Sequence, residues 1–352
     1  SGLVGSEMCI RDRKDNNRMS TQELLQTINE KIQEGVTEFE IEACGQHDIG
    51  GSSWSKDGKP LTFYIKNPGQ RVGAMGTDAA TIVVEGSAPA DIGWLNAGAK
   101  IIVKGDGGDT AAHCAAGGKI YVGGRVGTRS GALMKHDPKF EPPEFWVLKN
   151  TESFSFEFMG GGIAVICGYD CENLESVLGN RSCVGMVGGT VYVRGKVEGL
   201  AKCVEQKKLD KFDKDFLKSG MSEFLDSIGK PELADELLDF SSWTKIIPLP
   251  KEQKEKKITV KEFKEQEWFK DGLFGDLVED NGEVFELAQT GEARLRKPVW
   301  DKDLCVGCNL CLNNCPQNAI SETIKIYSCD DSMCIGCGIC AAVCPRKAWK
   351  MS

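Results

Sequence analysis

The chain has 352 residues, enough for two or three domains with cores of their own. With 43 Lys and Arg against 52 Asp and Glu the net charge is −9, which argues against nucleic acid or an anionic membrane surface as the main partner. No apolar run is long enough to span a bilayer, and the sixteen cysteines show no disulfide framework, a usage that fits a reducing cytoplasm.

Residues 1–18 lack a secretory signal pattern. The stretch through Arg11-Asp12-Arg13 resembles translated sequencing-adapter read-through, so 1–18 is set aside as a non-native or disordered leader, with Met19 as the start. A helix-strand lead-in is expected over 19–60. Ser20 and Glu23 make a capping box, Leu24, Leu25, Ile28 and Ile32 share a helical face, and Phe39 and Ile41 alternate with glutamates as in a strand.

From 61 to 200 the sequence repeats. The strands Phe63-Tyr64-Ile65, Ile82-Val83-Val84, Ile101-Ile102-Val103 and Ile120-Tyr121-Val122 end two residues later at Asn67, Gly86, Gly105 and Gly124, spaced by 19 residues. Trp146-Val147-Leu148, Ala164-Val165-Ile166 and Val191-Tyr192-Val193 continue the series at intervals of 26, 18 and 27. This pattern predicts a mainly β fold, a right-handed parallel β-helix of about seven coils. The first and third residue of each strand form two inward columns. The Gly160-Gly161-Gly162, Gly117-Gly118 and Gly188-Gly189 strings lead into strands and read as corner turns; a phosphate-binding loop would precede a helix.

Over 201–250, Leu209, Phe212, Phe216, Met221, Phe224, Leu225, Leu233, Leu237 and Leu238 recur at helical spacing, predicting a helical pair that caps the open end of the repeat. A linker and adaptor follow over 251–298, with Trp268, Phe269, Phe274 and Phe285 as packing residues.

Residues 299–352 hold two runs, Cys305-x-x-Cys308-x-x-Cys311-x-x-x-Cys315-Pro316 and Cys334-x-x-Cys337-x-x-Cys340-x-x-x-Cys344-Pro345. C-x-x-C pairs also make structural zinc sites, but two complete runs closed by Pro fit two 4Fe-4S clusters. In such runs the fourth thiolate crosses to the other cluster. The first would be held by Cys305, Cys308, Cys311 and Cys344, the second by Cys334, Cys337, Cys340 and Cys315. Of the remaining cysteines, Cys167, Cys171, Cys183 and Cys203 are irregularly spaced and Cys329 stands five residues before Cys334; buried hydrophobe and metal ligand are both open to them.

The last segment resembles a ferredoxin module with two 4Fe-4S clusters, an α+β fold. The repeat, through Asn96 to Gly105, Gly117 to Gly127 and Gly161 to Gly168, resembles the glycine-repeat (GXGXG) β-helix domain of the glutamate synthase large subunit. The resemblance implies an electron-transfer and scaffold subunit of a multi-subunit oxidoreductase, passing electrons through its clusters towards a flavin on a partner chain. A flavin-binding synthase subunit and a glutamine amidotransferase subunit are the implied partners, with ferredoxin or another donor as the electron source; Lys302, Lys325, Lys347 and Lys350 are candidates for steering it. Glycine-repeat subunits resembling those of formylmethanofuran dehydrogenase, a molybdenum or tungsten enzyme, offer a second reading, and a non-enzymatic interaction protein a third. No catalytic residue is expected here: His47, His113 and His136 fit no zinc or triad spacing, no amino-terminal cysteine nucleophile is found, and no flavin or nicotinamide site is read.

Overall fold

A computed structural model describes residues 7–11, 18–250, 297–331, 333, 334 and 336–352. It divides into two units, Ser1–Lys254 and Glu255–Ser352. The adaptor residues Trp268, Phe269, Phe274 and Phe285 lie outside the described residues. Among those described, no helix is long and apolar enough to cross a membrane.

The first unit is built on one large sheet, mostly parallel. Strands β1 (Glu7–Arg11), β2 (Glu38–Glu42), β3 (Leu61–Lys66), β4 (Ala80–Val84), β5 (Ala97–Val103), β6 (Gly117–Val122), β7 (Glu144–Val147), β8 (Gly160–Ile166) and β9 (Gly188–Arg194) pair in chain order, all parallel. Two expectations change at the start. Glu7–Arg11, set outside the fold on sequence grounds, is a strand on β2 with Ile10 buried. The lead-in strand β2 is itself a rung, since Phe39 pairs with Phe63 and stacks on it at 5.2 Å. Helix α1 (Thr21–Gln33) starts at the Ser20/Glu23 capping box and buries Leu24, Ile28 and Ile32 against the same core.

The inward columns hold, with one register correction. Ile120 pairs with Phe145 and Val122 with Val147, and these in turn with Ala164 and Ile166. The sequence alignment put Trp146 and Leu148 in those columns. A one-residue slip exchanges the two faces of a strand. The corrected intervals are 25 and 19 residues, so the basic period returns after the first insertion before lengthening to 27 at β9.

Opposite the strands, a second ladder runs through the turns. Each turn carries left-handed residues at alternate positions: Asp91, Gly93 and Leu95, then Thr110, Ala112 and Cys114 one rung on. The Asp91 and Leu95 N–H groups donate forward to Asp109 and His113 carbonyls at 2.9 Å, while Gly93 N–H donates back to Val72 at 2.8 Å. These bonds offset the cost of left-handed backbone at non-glycine residues. Gly105 and Gly124, which end strands, serve a different purpose: neither is left-handed, but a Cβ would lie 2.6 Å from Ser87 Oγ at the first and 2.1 Å from Asp106 Oδ1 at the second, each on the neighbouring rung.

The end of the stack is closed by strands. β11 (Trp243–Pro248) runs antiparallel to β9 and pairs in turn with β10 (Val204–Lys208). The expected helical pair is instead one long helix, α2 (Lys211–Ile228), and one short turn of helix, α3 (Ala234–Leu237). α2 lies on the outer face of the sheet, where the middle residue of each strand points. Leu217, Met221, Phe224 and Leu225 cover Ile102, Tyr121, Trp146, Val165 and Tyr192 there. Trp146 is fully buried against Phe216 and Phe224, and its ring fits only because residue 220 is Gly: a Cβ would lie 2.5 Å from it. Glu223 of α2 bridges Lys100 (2.9 Å) and Lys119 (2.7 Å) on β5 and β6.

The second unit is small. β12 (Pro298–Trp300) pairs antiparallel with β15 (Trp349–Met351), and β13 (Ile320–Thr323) with β14 (Ile326–Cys329). Short helices Leu310–Asn313 and Ile339–Ala342 follow left-handed Asn309 and Gly338. Its buried core is Cys311, Ile320, Tyr327, Cys340 and Trp349.

Candidate functional site

The eight cysteines of the two runs sit on loops and short helices of the second unit. The x-x spacing follows from left-handed Gly307 and Gly336, which turn the chain between the first and second cysteine of each run. Cys311 and Cys340 are then buried on the helices, Cys308 and Cys337 are exposed on the loops, and the other four are half-buried.

Cysteines of both runs meet at one pocket. Cys315, from the first run, lines one small pocket with Cys334, Cys337 and Cys340 from the second. Burial pushes the Cys340 thiol up, and the neighbouring Cys334, Cys337 and Cys315 push the same way, while the Ala341 N–H opposes them. Of the first set, Cys305, Cys311 and Cys344 belong to the same small core as Trp300, Tyr327 and Trp349, a core that also includes Cys315, Cys329 and Cys340, and Cys308 is exposed on the loop between Cys305 and Cys311. Burial pushes the Cys311 thiol up; the indole N–H of Trp349 and the backbone N–H groups of Leu312 and Cys311 oppose it.

Fit to an iron-sulfur cluster is tested by three observations. The cysteines of the second set line one pocket. Backbone N–H groups already aim at sulfur: Ala319 at Cys315 (3.3 Å), Ala348 at Cys344 (3.2 Å) and Gly336 at Cys334 (3.4 Å). Finally, the Nε1 atoms of Trp300 and Trp349 are both buried beside these cysteines with no acceptor in hydrogen-bond geometry, and cluster sulfur would supply one. Such donors tune a bound cluster. For Cys344, burial raises the pKa, but the N–H groups of Ala348, Trp349, Arg346 and Lys347 outweigh it and lower the thiol overall. The residues fit.

Cys167, Cys171, Cys183 and Cys203 do not gather at one site. Cys167 is buried under α2 on the outer face, whereas Cys171 and Cys183 lie in the inner core. Burial pushes Cys183 up to about 12, with Cys203 adding to it, and the Cys203 thiol donates to the Cys183 carbonyl. The histidines remain scattered: His47 Nδ1 accepts from Gln70 N–H, and His136 contacts the Phe140 carbonyl. The glycine strings open β6, β8 and β9, with no helix following. Lys302, Lys325, Lys347 and Lys350 are all exposed.

Sequence reading missed the aromatic shell. Trp300 lies 5.7 Å from Tyr327 and 6.5 Å from Trp349 between ring centroids, and the Tyr327 hydroxyl bonds Asn309. A signal was present: Cys305 and Cys334 begin runs offset by 29 residues, and that offset pairs Trp349 with Ile320.

Stacked parallel strands joined in one chain to a cysteine-lined ferredoxin-type unit define the class. The GXGXG motif family matches residues 57–248, more than half of the sequence, and the chain belongs to that family. A 4Fe-4S dicluster domain matches residues 304–348. An uncharacterized protein of Methanocaldococcus jannaschii is 32% identical over 130 residues, an alignment covering 36% of this chain and 49% of that protein. The chain thus spans about half the length of the curated relative it matches.

Proposed function

We propose that this chain is the electron-transfer and scaffold subunit of a cytoplasmic, multi-subunit, glutamate-synthase-like oxidoreductase. The observation that carries the reading is the cavity in which Cys315 joins Cys334, Cys337 and Cys340, within a chain of the GXGXG family. Two clusters are assigned, one to Cys305, Cys308, Cys311 and Cys344 and one to Cys334, Cys337, Cys340 and Cys315. A 4Fe-4S cluster, when bound, supplies one-electron transfer and no bond chemistry. The protein's part is to hold it, to keep water from Cys311 and Cys340, and to direct backbone and indole N–H groups at its sulfurs.

The first unit is read as a right-handed parallel β-helix, because each parallel crossover returns through a stacked turn and such crossovers are right-handed in the great majority of cases. Its role is to hold partner chains: one carrying flavin, one releasing ammonia from glutamine. Anaerobic affinity purification of the chain from its host tests this, with partners identified by mass spectrometry and iron counted. Co-purification of a flavin-binding synthase and an amidotransferase is expected. A molybdopterin subunit in their place, or the iron-loaded chain alone, overturns the glutamate-synthase assignment.

A further inference from the structure

The ferredoxin-type unit is internally duplicated with the 29-residue offset that carries Cys305 onto Cys334 and Cys315 onto Cys344. The backbone obeys it closely. Asp301 N–H donates to the Ala348 carbonyl and Asp330 N–H to the Ala319 carbonyl, both at 2.7 Å. Trp300 faces Trp349 across β12 and β15, and Cys329 faces Ile320 across β14 and β13. Positions 300 and 329 are therefore equivalent, each next to the residue whose partner strand leads back to a crossing cysteine. Ala348 N–H reaches Cys344 Sγ in one half, and Ala319 N–H reaches Cys315 Sγ in the other.

The two halves differ in what fills that position. In the first it is an indole, which cannot ligate iron. In the second it is a thiol, half-buried, and it lines the same cavity as Cys315, Cys334, Cys337 and Cys340. The lining of this pocket thus carries five cysteines where a 4Fe-4S cluster takes four, and the Cys329 thiol itself is directed at the Asp330 carbonyl at 3.9 Å. Cys329 is also held firmly: the next residue, Asp330, bonds Ala319 on one side and accepts the Cys334 N–H (3.0 Å) on the other.

We propose that Cys329 is a reserve ligand of the second cluster, placed to take the iron corner of Cys315 when that bond is lost. The proposal rests on the two-cluster reading above. In the exchange the iron-sulfur bond to Cys315 breaks and that thiolate takes a proton. The Cys329 thiol gives one up and its sulfur bonds the same iron, so no electron is needed and the charge of the site is unchanged. The first cluster has no such reserve, because Trp300 stands in its place.

The duplication supplies an internal control. The full chain and its variants C344S, C315S, C329S and C315S/C329S are reconstituted anaerobically with iron and sulfide, and iron content and the EPR spectrum of the reduced protein are measured. The wild type should hold about eight iron atoms. C344S should fall to about half, C315S should stay near the wild type, C329S alone should stay near it too, and C315S/C329S should fall to about half. A C315S protein that loses as much iron as C344S overturns the reserve ligand and leaves the two-cluster reading standing. A wild type holding about four iron atoms, or a C344S protein with all eight, overturns the ligand assignment itself and the proposal with it. The rate of iron loss in air from C329S, whose side chain is nearly the size of cysteine, is a second readout independent of how C315S folds: several-fold faster loss from the second cluster is expected, and an unchanged rate counts against the proposal.

Discussion

The two units bury their interiors by opposite means. In the first, columns of Phe, Ile and Val from Phe39 to Val193 stack rung on rung, and α2 covers a second apolar face. In the second, the main buried cluster among the described residues is Cys311, Ile320, Tyr327, Cys340 and Trp349. Burying a Phe, Ile or Val contributes roughly 1.5–3 kcal/mol, so the stacked columns supply a core from side chains alone. A core that small contributes little by burial, so a bound metal group would couple directly to the folding of the residues that hold it. The difference separates a unit whose side chains supply its core from one whose few buried side chains leave a larger share of stability to whatever its cysteines hold.

The sharpest way to break that contrast is to remove the iron. Chelation under reducing conditions should abolish amide protection across 297–352 while leaving residues 38–248 as protected as before, read by hydrogen exchange and mass spectrometry. An iron-free second unit that keeps its protection would place its stability in its side chains after all. Trp146→Ala comes next. Emptying the largest buried position under α2 should cost about 3–5 kcal/mol in chemical denaturation of the iron-loaded chain, without changing iron content. Gly220→Ala should cost less, about 1–3 kcal/mol, because the new Cβ meets the Trp146 ring, outweighing the helix propensity that alanine brings.

The smallest effect is electrostatic. Burial raises the Glu223 pKa, but hydrogen bonds from Lys119 and Lys100 outweigh it and hold the carboxyl at about 2, below its ordinary 4.5. A depressed pKa contributes stability that is present above the unfolded value and lost as pH falls through the folded one, here between about 4.5 and 2. Glu223 is 41% exposed, so the contribution is under about 1 kcal/mol after solvent screening. Glu223→Gln should flatten the wild type's loss of stability across that window, measured as denaturation midpoint against pH; an unchanged slope would mean the bridge contributes nothing.

Much was legible from residue order alone. The strand triplets, the 19-residue period, the capping box at Ser20 and the two cysteine runs are local patterns, and local patterns survive in a linear reading. What was misread is non-local. Trp146 and Val147 look alike to a pattern search, and only pairing with β6 and β8 decides which faces inward. Likewise α2 has an apolar face whether it caps an end or covers a side. Its place on the outer face follows from the Tyr121, Trp146 and Tyr192 side chains that wait there, residues whose direction is set only once the sheet exists.

Residue order by itself thus determined the repeat, the ligands' spacing and the kind of group they hold, because the cysteine runs and the strand period are written within a few residues of one another. Only tertiary structure decided that β2 is a rung, that strands and not helices close the stack, and that Cys329 shares a cavity with Cys315. Each depends on segments brought together by hydrogen-bond register, and register is a property of paired strands that neither strand carries alone.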